Sequence, residues 1–276
     1  MFRGILDETR PMDNVVLDFD LPQEDELATN VLSAGTSPYM PLFFMSQEPD
    51  FRPYYAFDDH ASGDEKLSPE EMATARKRWG SAFYYLCQKL TLRSLRMKQA
   101  ALRLVLKSPV HTARIPLLLR IFPDAQFIYI HRHPYDVFRS AAHMADTTYW
   151  YTYFSTPQDE EIQEFILRQY EILWNRYEEG REILEQNMIK SGGGAKQLIE
   201  VSFDDLSEKP VETMHRIYDK LGWDMSPEMK CSLEQTASGD IKSYKRNSYK
   251  NIDPRLRVTV QARWGASFNR LGYDKL

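Results

Sequence analysis

The sequence predicts a single α/β domain with a central parallel sheet flanked by helices, and three observations carry that expectation. A strand, a helix and a second strand follow one another within about thirty residues, Leu102 to Ile130, the βαβ pattern of a parallel sheet. The second strand, Phe127-Ile128-Tyr129-Ile130, is β-branched and aromatic and stops at His131-Arg132-His133-Pro134, where Pro134 suits the first turn of a helix. Two long segments of helical periodicity flank this unit. With 276 residues, 42% of them hydrophobic, the chain has material for one large core.

Taken in order, the first sixty or so residues are punctuated by proline, and Glu24-Asp25-Glu26 lead into Leu27, Val31 and Leu32 as the acidic first turn of a short helix. Ala34-Gly35-Thr36-Ser37-Pro38 reads as a turn. Ser68-Pro69-Glu70-Glu71 is a capping box, after which Met72, Ala75, Trp79, Ala82, Phe83, Leu86 and Leu90 mark one face of a long helix. Leu102 to Lys107 reads as a strand, Ser108-Pro109 as its end, and Ile115 to Phe122 as a helix that Pro123-Asp124 breaks before Phe127. A right-handed crossover would then place Lys107 and Arg132 at the carboxyl ends of parallel strands, on one rim. The second long helix runs from about Pro157 to Gln186, and Ser191-Gly192-Gly193-Gly194-Ala195 connects it to a strand at Gln197 to Phe203. That glycine run is no phosphate loop, because it precedes a strand and lacks a Lys-Ser/Thr continuation. Val211 to Leu221 reads as a helix ended by Gly222, and Ser226-Pro227-Glu228 starts another.

Composition narrows the function classes. Thirty-five basic against forty acidic residues give a net charge of −5, which excludes a general nucleic-acid coat and leaves room for a local basic pocket. Cys87 and Cys231 are far apart in helical patterns, so no disulfide framework is expected and the setting reads as reducing and cytoplasmic. No stretch approaches the roughly 18 apolar residues of a membrane span, and the opening Met-Phe-Arg-Gly-Ile-Leu-Asp-Glu has no signal-peptide core. Aromatic residues make up 13% of the chain and cluster at Tyr54-Tyr55-Ala56-Phe57 and Tyr149 to Phe154, as cores and apolar clefts both require.

Four constellations carry chemistry. Lys107 and Ser108 display an ammonium and a hydroxyl where a strand meets a helix, or are a surface lysine and an N-cap serine. Arg132 and Ser140, eight residues apart across a strand-to-helix junction, can grip one anion, with a surface salt bridge as the plain alternative. His111 follows the Lys107 turn as a possible base or orienter, or as a packing histidine. Glu24 and Glu26 belong to the dense acidic cluster, which is either a favourable charge on a helix start or, if buried, a source of a general base. His131 and His133 flank an arginine and complete no ligand pattern, so no metal is expected.

The blocks Leu-Lys-Ser-Pro-Val-His-Thr-Ala-Arg at 106–114, Phe-Pro-Asp-Ala-Gln-Phe-Ile-Tyr-Ile-His-Arg-His-Pro-Tyr-Asp-Val-Phe-Arg-Ser at 122–140 and Val-Ser-Phe-Asp-Asp-Leu at 201–206 resemble the PAPS-dependent sulfotransferase family, from about Arg10 onward. It is the broad group that also looks similar to tyrosylprotein sulfotransferases. The resemblance implies a P-loop-like three-layer fold, with residues 1–67 as an irregular, partly helical region on the substrate side and 68–276 as the core, its βαβ unit at 101–143. It implies PAPS as co-substrate, with PAP as product and no metal, and a small-molecule, lipid or carbohydrate acceptor with a hydroxyl or amine. By position, Arg132 and Ser140 look like the pair that grips the 3′-phosphate, and Lys107, with Ser108 beside it, like the lysine that stabilises the transferring sulfuryl group. Phe203 stands where the family has a tyrosine near the adenine, and Lys245 and Arg246 where it closes a basic loop over the nucleotide. Glu24 is the expected base, with Glu26 and His111 as rivals, chosen by location. The family's 5′-phosphosulfate element, a strand, a Pro-Arg/Lys-Ser-Gly-Thr-Thr loop and a helix, has no counterpart in this sequence. The alternative function is therefore a non-catalytic nucleotide- or anion-binding descendant of the fold. A nucleotide kinase would need a Gly-x-x-x-x-Gly-Lys-Ser/Thr loop, which is absent.

Overall fold

In a computed structural model of the chain, residues 15, 23–58, 67–96, 103–190, 196–241, 249 and 251–275 are described. Lys245, Arg246 and the 191–195 connector lie outside them. The described elements are, in chain order, α1 (Asp25–Leu32), α2 (Glu48–Phe51), α3 (Pro69–Arg96), α4 (Ile115–Ile121), β1 (Phe127–His131), α5 (Pro134–Thr147), α6 (Asp159–Lys190), β2 (Leu198–Ser202), α7 (Phe203–Glu208), α8 (Pro210–Leu221), α9 (Pro227–Thr236), α10 (Pro254–Arg263) and α11 (Gly265–Leu271). The described chain is thus mostly helical, with one small parallel sheet in which β1 pairs with β2 from Phe127 opposite Leu198 to His131 opposite Ser202.

One expectation is overturned. Residues 103–108 form no strand, so the βαβ unit at 101–143 is not present as predicted, and the parallel partner of β1 is β2 instead. The run Leu104-Val105 has strand composition, yet Val105 is 79% exposed and Leu104 37%, so neither side chain enters a core. An apolar β-branched run becomes a strand only where another strand completes its backbone hydrogen bonds, and composition cannot report that.

The chain divides into two compact units. One comprises Pro22–Pro123 and Tyr151–Gly180. Its α3 begins at the expected capping box, where the Ser68 N–H donates to Glu71 Oε2 at 2.8 Å and the Glu71 N–H donates to Ser68 Oγ at 3.3 Å. Met72, Trp79, Ala82, Phe83 and Cys87 form its buried stripe. Trp79 stacks on Phe83 at 4.8 Å and lies 5.5 Å from the fully buried Phe57. Tyr55, Val110 and Ala113 form a second cluster, against which Tyr39, Ile172 and Leu173 pack. The turn predicted after α1 is present, with Ala34 and Gly35 at φ 54° and 84°.

The other unit is built chiefly from Asp124–Trp150 and Arg181–Leu276. Ile199 and Val201 of β2 are buried with Ile217 and Leu221 of α8, and Met214 and Trp223 pack on this cluster. Gly222 ends α8 in the left-handed conformation, φ 69°, as its sequence position predicts. Gln126, just before β1, donates to the Leu221 carbonyl at 2.8 Å and accepts from Trp223 Nε1 at 2.5 Å, which ties the start of the sheet to the end of α8.

Gly180 in α6 is the tightest glycine of the first unit: a Cβ there would lie 2.7 Å from Ile115 Cβ at the start of α4. Gly180→Ala should therefore lower stability by about 1–3 kcal/mol through overpacking, despite the better helix propensity of alanine, and a urea midpoint measures it.

Candidate functional site

The acidic start of α1 meets the Lys107 turn within the first unit. Glu24 occupies the N-cap position of α1. Its carboxylate pairs with the Lys107 ammonium and accepts a hydrogen bond from the Tyr39 hydroxyl at 2.7 Å. The Lys107 side chain is 74% exposed and that of Glu24 29%, so solvent reaches this pair. Ser108 precedes a short 3₁₀ turn, Pro109–Ala113, without capping it through its side chain. Its hydroxyl instead donates to Asp25 Oδ1 at 3.1 Å and accepts from the Glu26 N–H at 3.0 Å. The N-cap alternative for Ser108 is thereby replaced by a tie between this turn and α1.

Asp25 also contacts His111, whose Nε2 lies 2.7 Å from Asp25 Oδ2. Burial pushes the Asp25 carboxyl upward, but the hydrogen bond and charge of His111, together with the Ser108 hydrogen bond, outweigh it and hold the group below its ordinary value of 3.8. The imidazole sits edge-on to Phe83 at 5.5 Å, and its Nδ1 is buried without a partner. His111 is thus held against Asp25 within an aromatic wall.

Glu26 is fully buried. Its Oε1 accepts from Ser37 Oγ at 2.7 Å and Arg114 Nη2 at 3.2 Å, and its Oε2 accepts from Arg114 Nη1 at 2.6 Å and Trp79 Nε1 at 3.1 Å. All four lone-pair positions are filled, so Glu26 has no place for a substrate proton and does not suit the role of base that the sequence allowed it.

In the second unit, β1 ends at His131 and α5 begins at Pro134, which leaves Arg132 at the junction. The Arg132 guanidinium lies 4.8 Å over the Phe203 ring and 5.8 Å over that of Tyr249. The Tyr249 hydroxyl donates to Ser140 Oγ at 3.1 Å, so one tyrosine touches both members of the Arg132–Ser140 pair. The nearest carboxylate oxygen to Arg132 is that of Asp136, at 3.8 Å, and Asp136 is shared with Arg139. The guanidinium therefore retains hydrogen-bonding capacity toward an anion. Phe203 is the first residue of α7, which Ser202 caps by accepting from the Asp205 N–H at 2.9 Å.

The structure thus joins Lys107, Ser108, His111, Glu24 and Glu26 in one cluster, and Arg132, Ser140 and Phe203 in another. The sequence gives no site role to Arg114, Trp79 or Tyr39, marks Asp25 only as a member of the acidic cluster, and marks Tyr249 only as the end of the tail that carries Lys245 and Arg246. Arg114 closes the same motif as Lys107, and Asp25 lies between Glu24 and Glu26, so both are marked by their place in the sequence. Trp79 read only as helix core, and nothing marked Tyr39.

The sulfotransferase family profile matches residues 31–227, and the chain belongs to that family. The omega-hydroxy-beta-dihydromenaquinone-9 sulfotransferase Stf3 of Mycobacterium bovis and that of Mycobacterium tuberculosis are each 27% identical to it over 273 residues, 98% of this chain and 62% of the relative. The chain therefore spans about three fifths of the length of these curated relatives. It shares its fold with the crystal structure of sulfotransferase STF9 from Mycobacterium avium, at a TM-score of 0.65 and 18% identity over 93% of this chain and 58% of that one. No helix among the described residues is long and apolar enough to cross a membrane.

Because its native pKa is depressed, ionised Asp25 stabilises the fold above the ordinary aspartate range, and that contribution disappears as the pH falls through the lower native value. Asp25→Asn should be less stable than the parent by about 1.5–3 kcal/mol at neutral pH, with the gap closing below about pH 4; denaturant midpoints across a pH series measure this.

Proposed function

We propose that this chain takes part in sulfuryl transfer from PAPS to the hydroxyl of a lipid-like acceptor. The observation that carries this reading is the exposed Lys107–Glu24 pair, a cation and a carboxylate held together at the turn that the family motif marks. Sulfuryl transfer, like phosphoryl transfer, requires in-line positioning and fixed positive charge more than covalent chemistry. Lys107 would neutralise charge on the bridging oxygen as its bond to sulfur breaks. Glu24 would take the acceptor's proton as the new S–O bond forms, with PAP as the leaving group. The two side chains pair with each other until those partners arrive. His111 and Asp25 then hold Ser108, and through it the Lys107 turn, in place.

Arg132 and Ser140 fit the 3′-phosphate, since the guanidinium lies over the Phe203 and Tyr249 rings and keeps donors in reserve, and Phe203 offers a ring for the adenine. A lipid-like acceptor is suggested by the named substrate of the Stf3 relatives. It also suits an exposed aromatic group in the unit that holds Lys107, where Phe154, 74% exposed, stacks on Phe43 at 5.7 Å and lies 5.4 Å from Phe44.

Calorimetric titration with PAP and transfer of labelled sulfate to a panel of hydroxylated lipids test the reading. Arg132→Ala should weaken PAP about 10–100-fold, the loss expected for charged hydrogen bonds. Lys107→Ala and Glu24→Gln should leave PAP binding within a few-fold and lower transfer by about 10²–10³. PAP binding indifferent to Arg132 would remove the 3′-phosphate assignment. PAP binding with no transfer to any acceptor would establish the non-catalytic alternative.

A further inference from the structure

A cavity of about 350 Å³ in the second unit is lined by His133, Tyr135, Asp136, Arg139, Asn251 and Arg257, among others. Neither Arg132 nor Ser140 lines it. Two of its lining residues hold buried hydrogen-bonding atoms without partners, the Tyr135 hydroxyl and Arg139 Nε. Tyr135 is only 6% exposed. Its ring stacks on His133 at 5.4 Å, meets Phe268 edge-on at 4.9 Å and lies 4.7 Å beneath the Arg257 guanidinium, so it has little freedom to turn the hydroxyl toward another partner.

Leaving a buried donor unmatched costs about 1–3 kcal/mol, and native structures hold few such groups except where an ion, a water or a ligand completes them. Here the orphaned donors belong to a tyrosine and an arginine, with a second arginine at the same wall. The one carboxylate among the described lining residues, Asp136, is already neutralised: one oxygen pairs with Arg139 and the other lies 3.8 Å from Arg132. Both arginines present N–H donors only, which suits an acceptor-only group of negative charge. We propose that this cavity is a binding site for a small tetrahedral oxyanion of the phosphate or sulfate class, separate from the Arg132–Ser140 pair and independent of the acceptor reading above.

The test is the thermal midpoint of the full chain at constant ionic strength, with chloride exchanged for inorganic phosphate or sulfate. The parent protein should gain about 3–8 °C once the oxyanion is far above its Kd. Tyr135→Phe and Arg257→Gln should lose most of that gain. In chloride, Tyr135→Phe should melt at or above the parent, because it deletes an unsatisfied hydroxyl; its lost response then cannot be ascribed to misfolding. Arg132→Gln should keep the gain while losing the shift that PAP produces, and the gain should persist on top of saturating PAP. A response confined to PAP, with none to phosphate or sulfate, would overturn the site, as would a full response in both Tyr135→Phe and Arg257→Gln. Loss of the oxyanion gain in Arg132→Gln, or under PAP, would assign the anion to the Arg132–Ser140 pair and refute the proposal equally.

Discussion

The first unit depends on one interaction, the ion pair between Glu26 and Arg114, both without solvent exposure. Arg114 gives two hydrogen bonds to the carboxylate, a third from Nε to the Tyr55 carbonyl at 3.0 Å and a fourth from Nη2 to the Tyr54 carbonyl at 2.7 Å. Its guanidinium lies 4.3 Å over Trp79 and 5.0 Å over Phe57. Desolvating two full charges is costly, and the Coulomb attraction offsets that cost only when the remaining donors and acceptors are also satisfied. Here they are, by side chains and carbonyls from α1, α3 and the 54–55 turn. Removing either ion would leave the other buried, a loss of about 3–5 kcal/mol. The pair is therefore an obligate arrangement, and it fixes α1 against α3 and the turn ahead of α4.

That constraint reaches the candidate site through three consecutive residues. With Glu26 immobilised, the Glu26 N–H is presented to Ser108 and the neighbouring Asp25 carboxylate is aimed at Ser108 and His111. Ser108 is adjacent to Lys107, so the turn from which the exposed lysine side chain extends is set by a hydrogen-bond chain anchored in the core.

Much of this was legible in the sequence because it depends on local rules. The capping box at Ser68–Glu71, the stop at Gly222, the strand Phe127–Ile130 and the strand-to-helix junction at Arg132 follow from neighbouring residues, and the structure has each of them. The failures concern partners distant in the chain. Leu102 to Lys107 looked like a strand because its residues favour one, while strand formation is decided by a pairing that no local window contains. Arg114 to Glu26 spans 88 residues, and Tyr249 to Ser140 spans 109. Nothing in the neighbourhood of Arg114 marks it for a role, and Glu26 stays a candidate base beside Glu24, because neither residue's neighbours report where the other lies.

The acidic triplet shows how burial, more than residue type, divides structural from chemical work. Glu26, fully buried, has two donors on each oxygen and is spent on the fold. Asp25, 6% exposed, has a histidine and a serine and holds a turn. Glu24, with its side chain 29% exposed, has a lysine and a tyrosine that solvent can reach. The number of donors a carboxylate needs rises with the water it has lost, and each donor added removes a lone pair from the pool available to a substrate. A proton acceptor must keep a lone pair within reach, which only the least buried of the three can do while still holding a cation beside it. The same reasoning selects Lys107 among the cations of the cluster: Arg114 has given four hydrogen bonds to protein groups, whereas the Lys107 ammonium has one carboxylate partner and an open face.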